Sequence, residues 1–76
     1  IDFVLCNQDK AVELIQVAYD IDNQKTFYRE TSSLIKASAK LHCDNLTLIA
    51  FTQTRDEEID GKCIKILSAT DWLLKK

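Results

Sequence analysis

The sequence predicts an α/β domain built on one mixed sheet, and three stretches carry that prediction. Val12 to Asp20, Val-Glu-Leu-Ile-Gln-Val-Ala-Tyr-Asp, reads as a central strand. Phe27, Leu34, Ile35, Ser38 and Leu41 fall at helical spacing on one side of the segment from Gln24 to Leu41. Leu46 to Phe51, Leu-Thr-Leu-Ile-Ala-Phe, is a nearly continuous apolar run. Such a run suits a strand covered on both faces, as parallel strands usually are. Strand, helix and strand at this spacing form a crossover unit, right-handed by the general rule.

Ile1 to Leu5 is expected to be the first strand and Cys6 to Lys10 a polar hairpin loop. The second strand then runs from about Ala11 to Tyr19. So short a connection makes the two strands antiparallel. Asp22 or Asn23 can cap the helix, a side-chain oxygen accepting from free backbone N–H groups. Arg29, Glu30, Lys36 and Lys40 populate the rest of the helix, and Lys40 suits the negative end of its dipole. His42 to Asn45 forms a short loop. Thr52 to Asp60 is polar and charged, hence an exposed loop, and Asp60-Gly61 signals a turn. Lys62 to Leu67 suits an edge strand. Ser68 or Thr70 can cap a last helical turn that carries Trp72, Leu73 and Leu74, with Trp72 anchored on the core.

Seventy-six residues make one domain, residues 1–76. A chain this short buries only about 60% of its unfolded surface. The hydrophobic share of 46% suits a packed globule rather than a disordered chain. A formal charge of -2 gives no overall positive field towards nucleic acid, which leaves room for a local basic patch. The chain contains no Met and opens inside an apparent strand, so it is expected to be a C-terminal fragment of a longer protein. Cys6, Cys43 and Cys63 are odd in number and irregularly spaced, which suits reduced, partly buried thiols in a cytoplasmic protein. No apolar run approaches the ~20 residues of a membrane helix. A single glycine rules out a glycine-rich phosphate loop. His42-Cys43-Asp44 lacks a second ligand pair, so it is a poor zinc motif.

Ile1-Asp2-Phe3-Val4, a loop, Leu14-Ile15-Gln16-Val17, a helix and an apolar strand together resemble the PD-(D/E)XK superfamily. More closely, they resemble the C-terminal domain of unknown function attached to a group of prokaryotic AAA-type ATPases. Members of that group carry a pattern like E-I-D-F-V, a loop, then I-E-V-K. The resemblance covers nearly the whole chain. It implies a restriction-endonuclease-like mixed sheet in the order β-β-α-β-β-α, with the N-terminal part of the fold missing. It also implies an upstream ATPase domain in the same chain, which would hold any ATP.

In that motif the Asp and Glu are hard oxygen ligands for Mg²⁺. The metal activates a water and offsets charge on the scissile phosphate. The Lys, two residues after the Glu on the same strand face, orients that water. Asp2 matches the family Asp. In one register Gln16 replaces the Glu and Ala18 the Lys. In the other, Glu13 is the ligand and Ile15 falls at the Lys position. Neither register completes the set. Asp2, Glu13 and Gln16 are the candidate catalytic residues, with Asp2 and Glu13 as candidate metal ligands. Asp20 shares strand parity with Gln16 and can contribute if the strand extends so far. Arg29 and Lys36 on the helix are candidate nucleic-acid contacts. A buried Gln16 needs hydrogen-bond partners, expected to be Asp2, Tyr19 or water.

The resulting expectation is an accessory nuclease-fold domain of an ATP-binding protein with a degraded site, not catalytic by itself. It would act as a regulatory or nucleic-acid-contacting module. The alternatives are an active divalent-metal-dependent nuclease, and an interaction or dimerisation module in which the uncovered sheet face or edge pairs with another copy. No membrane partner is expected.

Overall fold

The computed structural model describes residues 2–18, 20–51 and 54–75, with no side chain for Lys75. The elements are β1 (Phe3–Asn7), β2 (Lys10–Val17), α1 (Gln24–Leu41), β3 (Leu46–Ala50), β4 (Arg55–Ile59), β5 (Lys62–Ser68) and α2 (Ala69–Lys75). The strands form one mixed sheet in the order β1-β2-β3-β5-β4. β1 pairs antiparallel with β2, β2 and β5 flank β3 in parallel, and β4 pairs antiparallel with β5.

The β1–β2 hairpin turns on Gln8 and Asp9 alone, both at positive φ. Two left-handed residues in succession suit the right-handed twist of a tight hairpin. The expected five-residue loop is therefore a two-residue turn, and Cys6, Asn7 and Lys10 join the ladder. β2 ends at Val17, two residues short of the expected Tyr19, which lies outside the described residues.

Helix α1 has the expected bounds. Asn23 is its cap, the side chain accepting from Thr26 N at 3.2 Å. At the other end His42 takes the left-handed conformation, and the N–H of Cys43 returns to Ser38 O. Leu34 and Ser38 are buried as the helical stripe predicts, Phe27 and Ile35 are half-buried, and Thr31 joins them. The Thr31 hydroxyl is satisfied inside the helix, donating to Phe27 O at 2.8 Å. Leu41 remains 41% exposed, because the helix there passes beyond the sheet-facing core.

The α1 side of the sheet holds the main core, where Leu14, Ala18, Leu46, Leu48, Ile64 and Ile66 meet Leu34. β3 is buried along its whole length, as its apolar run predicts. On the other face Ile15, Thr47 and Ile49 are also buried, and α2 packs on β5 and β3. Ser68 caps α2, its hydroxyl accepting from Asp71 N at 3.1 Å. Trp72 is half-buried there, while Leu73 and Leu74 stay exposed.

Two expectations are corrected. The segment expected as a loop from Thr52 to Asp60 contains the fifth strand, β4; Thr52 and Gln53 lie outside the described residues. A strand this charged is tolerated because it is the sheet edge, where half its surface meets water. The Asp60-Gly61 turn closes a hairpin, both residues at positive φ. As a result β5 is an interior strand, not an edge, with Ile64 and Ile66 fully buried. All three cysteines are free, as expected, and Cys43 is buried, but Cys6 and Cys63 are exposed rather than partly buried.

Candidate functional site

The candidate site is built on the C-terminal half of β2. Leu14, Gln16 and Ala18 alternate towards α1, while Glu13, Ile15 and Val17 alternate to the other face. Gln16 is 7% exposed. Its Nε2 donates to Glu30 Oε2 of α1 at 2.9 Å. Of the expected partners Asp2, Tyr19 or water, Asp2 is engaged with Val17 N instead and Tyr19 lies outside the described residues. The orientation of the amide follows from chemistry: reversing it would set two acceptors against each other. Gln16 Oε1 then points into a buried space where it accepts no hydrogen bond among the described residues.

Asp2 is exposed and lies one residue before the pair Phe3↔Ile15, hence alongside Gln16 in register. Its Oδ2 accepts from Val17 N at 2.7 Å. The carboxylate thus supplies a partner for a backbone donor of β2 at the point where β1 begins. A short bond to an ionised acceptor is among the stronger ones.

Glu13 sits elsewhere. It pairs across the ladder with Leu5, and its Oε2 accepts from the Thr47 hydroxyl at 2.7 Å. Three residues along an alternating strand put Glu13 and Gln16 on opposite faces, roughly 10 Å apart. The two proposed ligands Asp2 and Glu13 are therefore not brought together. Ala18 is buried, its N–H donating to Ile49 O at 2.9 Å, and it offers no charge at the Lys position. Asp20 falls beyond the end of β2 and is exposed, so strand parity does not carry it to Gln16. Arg29 and Lys36 are exposed on α1. They lie on the side of the helix away from the sheet, not over Gln16.

The residue that sequence reasoning missed is Glu30. Its signal was present: a carboxylate three residues after Phe27 and four before Leu34 occupies the border of the apolar stripe. There it can reach a partner on the sheet.

The donor set does not fit a catalytic Mg²⁺. Such an ion is held through carboxylates in near-octahedral geometry. Here one carboxylate holds a backbone N–H, a second holds an amide, and the third lies across the sheet. Among the described residues, no three His, Cys, Asp or Glu side chains converge to hold a metal ion. His42-Cys43-Asp44 also divides: His42 is exposed, Cys43 is buried, and Asp44 receives hydrogen bonds from Ser38 Oγ (3.2 Å) and Lys62 Nζ (2.8 Å). These contacts, Lys62 first, hold the Asp44 carboxyl below its usual range.

A cavity of about 400 Å³ lies at the far end of β2, lined by Asp9, Lys10, Ala11, Leu41 and His42. Six residues of strand, about 20 Å, separate it from Gln16. Among the described residues no helix is long and apolar enough to cross a membrane.

Compared with protein-family models, curated proteins and solved structures, the chain finds no match.

Proposed function

We propose that this chain is a non-catalytic accessory domain with a nuclease-like build, working beside an AAA-type ATPase domain. In this reading the positions that bind metal in active PD-(D/E)XK enzymes have become structural. The observation that carries it is the Gln16–Glu30 hydrogen bond at 2.9 Å. An amide facing a helix carboxylate ties strand to helix, and it contributes neither the charge nor the free ligand that phosphodiester hydrolysis needs. Ala18 supports the reading, since no cation replaces the water-orienting Lys. The module then serves through contact, with nucleic acid or with the ATPase, rather than through chemistry.

The test is incubation of the chain with supercoiled and linear DNA in Mg²⁺ or Mn²⁺. The accessory reading expects no cleavage above a no-protein control. Metal-dependent cleavage that disappears in Asp2→Asn would contradict it and restore the nuclease alternative.

One observation favours a second reading, an association module. The β1 edge, Phe-Val-Leu-Cys-Asn, carries no charge and every residue in it is exposed. The opposite edge, β4, is Arg-Asp-Glu-Glu-Ile. Charged edges resist strand addition, and uncharged apolar edges invite it.

A further inference from the structure

We infer that the solvent face of α1 is a binding ridge for the phosphate backbone of duplex DNA. The inference deepens the accessory-domain reading and rests on it for the module's contact role, yet it concerns residues remote from Gln16.

The ridge follows from helix geometry. Lys25, Arg29, Lys36 and Lys40 are the cations of α1, and at 100° per residue they fall within a wedge of about 60°. All four are exposed. The wedge lies opposite Leu34, Thr31 and Ser38, which face the sheet. The one carboxylate of α1, Glu30, lies outside the wedge and is engaged with Gln16. No acid on the helix therefore offsets the row. Arg55–Glu57 and Lys62–Asp44 are ion pairs, and among the described residues none of the four ridge cations takes part in one.

The charge is segregated as well as concentrated. The chain has ten Lys and Arg against twelve Asp and Glu. With the four ridge cations set aside, six cations face twelve carboxylates, a balance of -6. A cationic strip on an otherwise acidic body attracts a polyanion to one face and repels it from the others.

Shape favours a duplex. The four cations span sixteen residues, a rise of about 22 Å, which matches six or seven base pairs. A helix with side chains is about 10–12 Å across, close to the width of the B-DNA major groove. Tyr28, 75% exposed, flanks the strip with a hydroxyl that can donate to a phosphate oxygen. Ser32 and Ser33 fill the interval between Arg29 and Lys36 with further donors.

The test is fluorescence anisotropy of a labelled duplex of mixed sequence, titrated with the chain at several salt concentrations. Four phosphate contacts predict a log–log salt slope of about -3.6, and so a loss of about 150-fold between 50 and 200 mM salt. Arg29→Gln/Lys36→Gln is expected to weaken binding at least tenfold at low salt and to flatten the slope by about 1.8. Both positions are exposed, and circular dichroism verifies the fold of the variant. Duplex binding unchanged by the double substitution would overturn the inference. So would no binding at low salt, tighter binding to a single strand, or equal binding to poly-glutamate. Cleavage of the bound duplex in Mg²⁺ would sink the accessory reading and leave the ridge standing, so the two failures are separable.

Discussion

Gln16 of β2 and Glu30 of α1 are joined side chain to side chain at 2.9 Å, and this bond spans the interface between the sheet and its long helix. Removing one partner of a buried pair leaves the other unsatisfied, whereas replacing both by apolar groups is nearly neutral. Gln16→Leu alone is expected to destabilise the chain by about 1–3 kcal/mol. Gln16→Leu/Glu30→Leu is expected to recover most of that loss, because it no longer leaves the Glu30 carboxylate without its partner. Urea unfolding of the four members of this cycle measures the coupling. Additive single effects would mean that the bond is not a unit.

Asp44 links the end of α1 to β5 through Ser38 and Lys62. Its pKa is lowered from the ordinary 3.8, first by the hydrogen bond from Lys62 and then by that from Ser38. A depressed carboxylate contributes stability above its unfolded pKa and loses it as pH falls through its folded pKa. The parent is therefore expected to exceed Asp44→Asn in stability at pH 7, and the gap should close below about pH 3.8. Unfolding midpoints of both proteins from pH 7 to pH 2 check this. A gap that persists at pH 2 would assign the effect to shape rather than charge.

Asn23 caps α1 through its side-chain oxygen. Asn23→Ala removes that acceptor and is expected to cost about 0.5–2 kcal/mol, whereas Asn23→Asp should cost little. Thermal melts followed at 222 nm distinguish the two variants. Equal losses in both would argue that the amide N–H groups of Asn23, rather than the cap, carry the effect.

The β1 edge predicts concentration-dependent association. Phe3 is 56% exposed and Leu5 38%, both on the face away from α1. Phe3→Lys places a charge on the unguarded edge and is expected to lower the weight-average mass at high protein concentration. Light scattering over a concentration series reads this directly. A parent that stays monomeric throughout removes the association reading.

The sequence reveals those parts of the fold that are governed by apolar period. The bounds of α1, the burial of β3 and the β1–β2 pairing all follow from local pattern. β4 was not legible, because Arg-Asp-Glu-Glu-Ile satisfies the composition of a loop. Only the antiparallel partner β5 makes it a strand, and that pairing is set through the Asp60-Gly61 turn. With β4 hidden in a loop-like composition, Lys62 to Leu67 reads as an edge strand, although β5 is interior. At the candidate site the strand parity of Gln16 and Ala18 was readable, but the partner was not. Glu30 lies fourteen residues away, and only the packing of α1 on β2 brings its carboxylate to the amide.

A purely structural role for Asp2 and Gln16 can be checked by Mn²⁺ titration followed by electron paramagnetic resonance of the free ion. The parent and Asp2→Asn are compared, with folding verified in both. If Asp2 and Gln16 are structural, neither protein shows saturable binding at or below the millimolar range, and the two do not differ. Saturable binding in the parent that is lost in Asp2→Asn would contradict that role. Asp2 and the buried Gln16 oxygen would then be ligands, not fixtures of the fold.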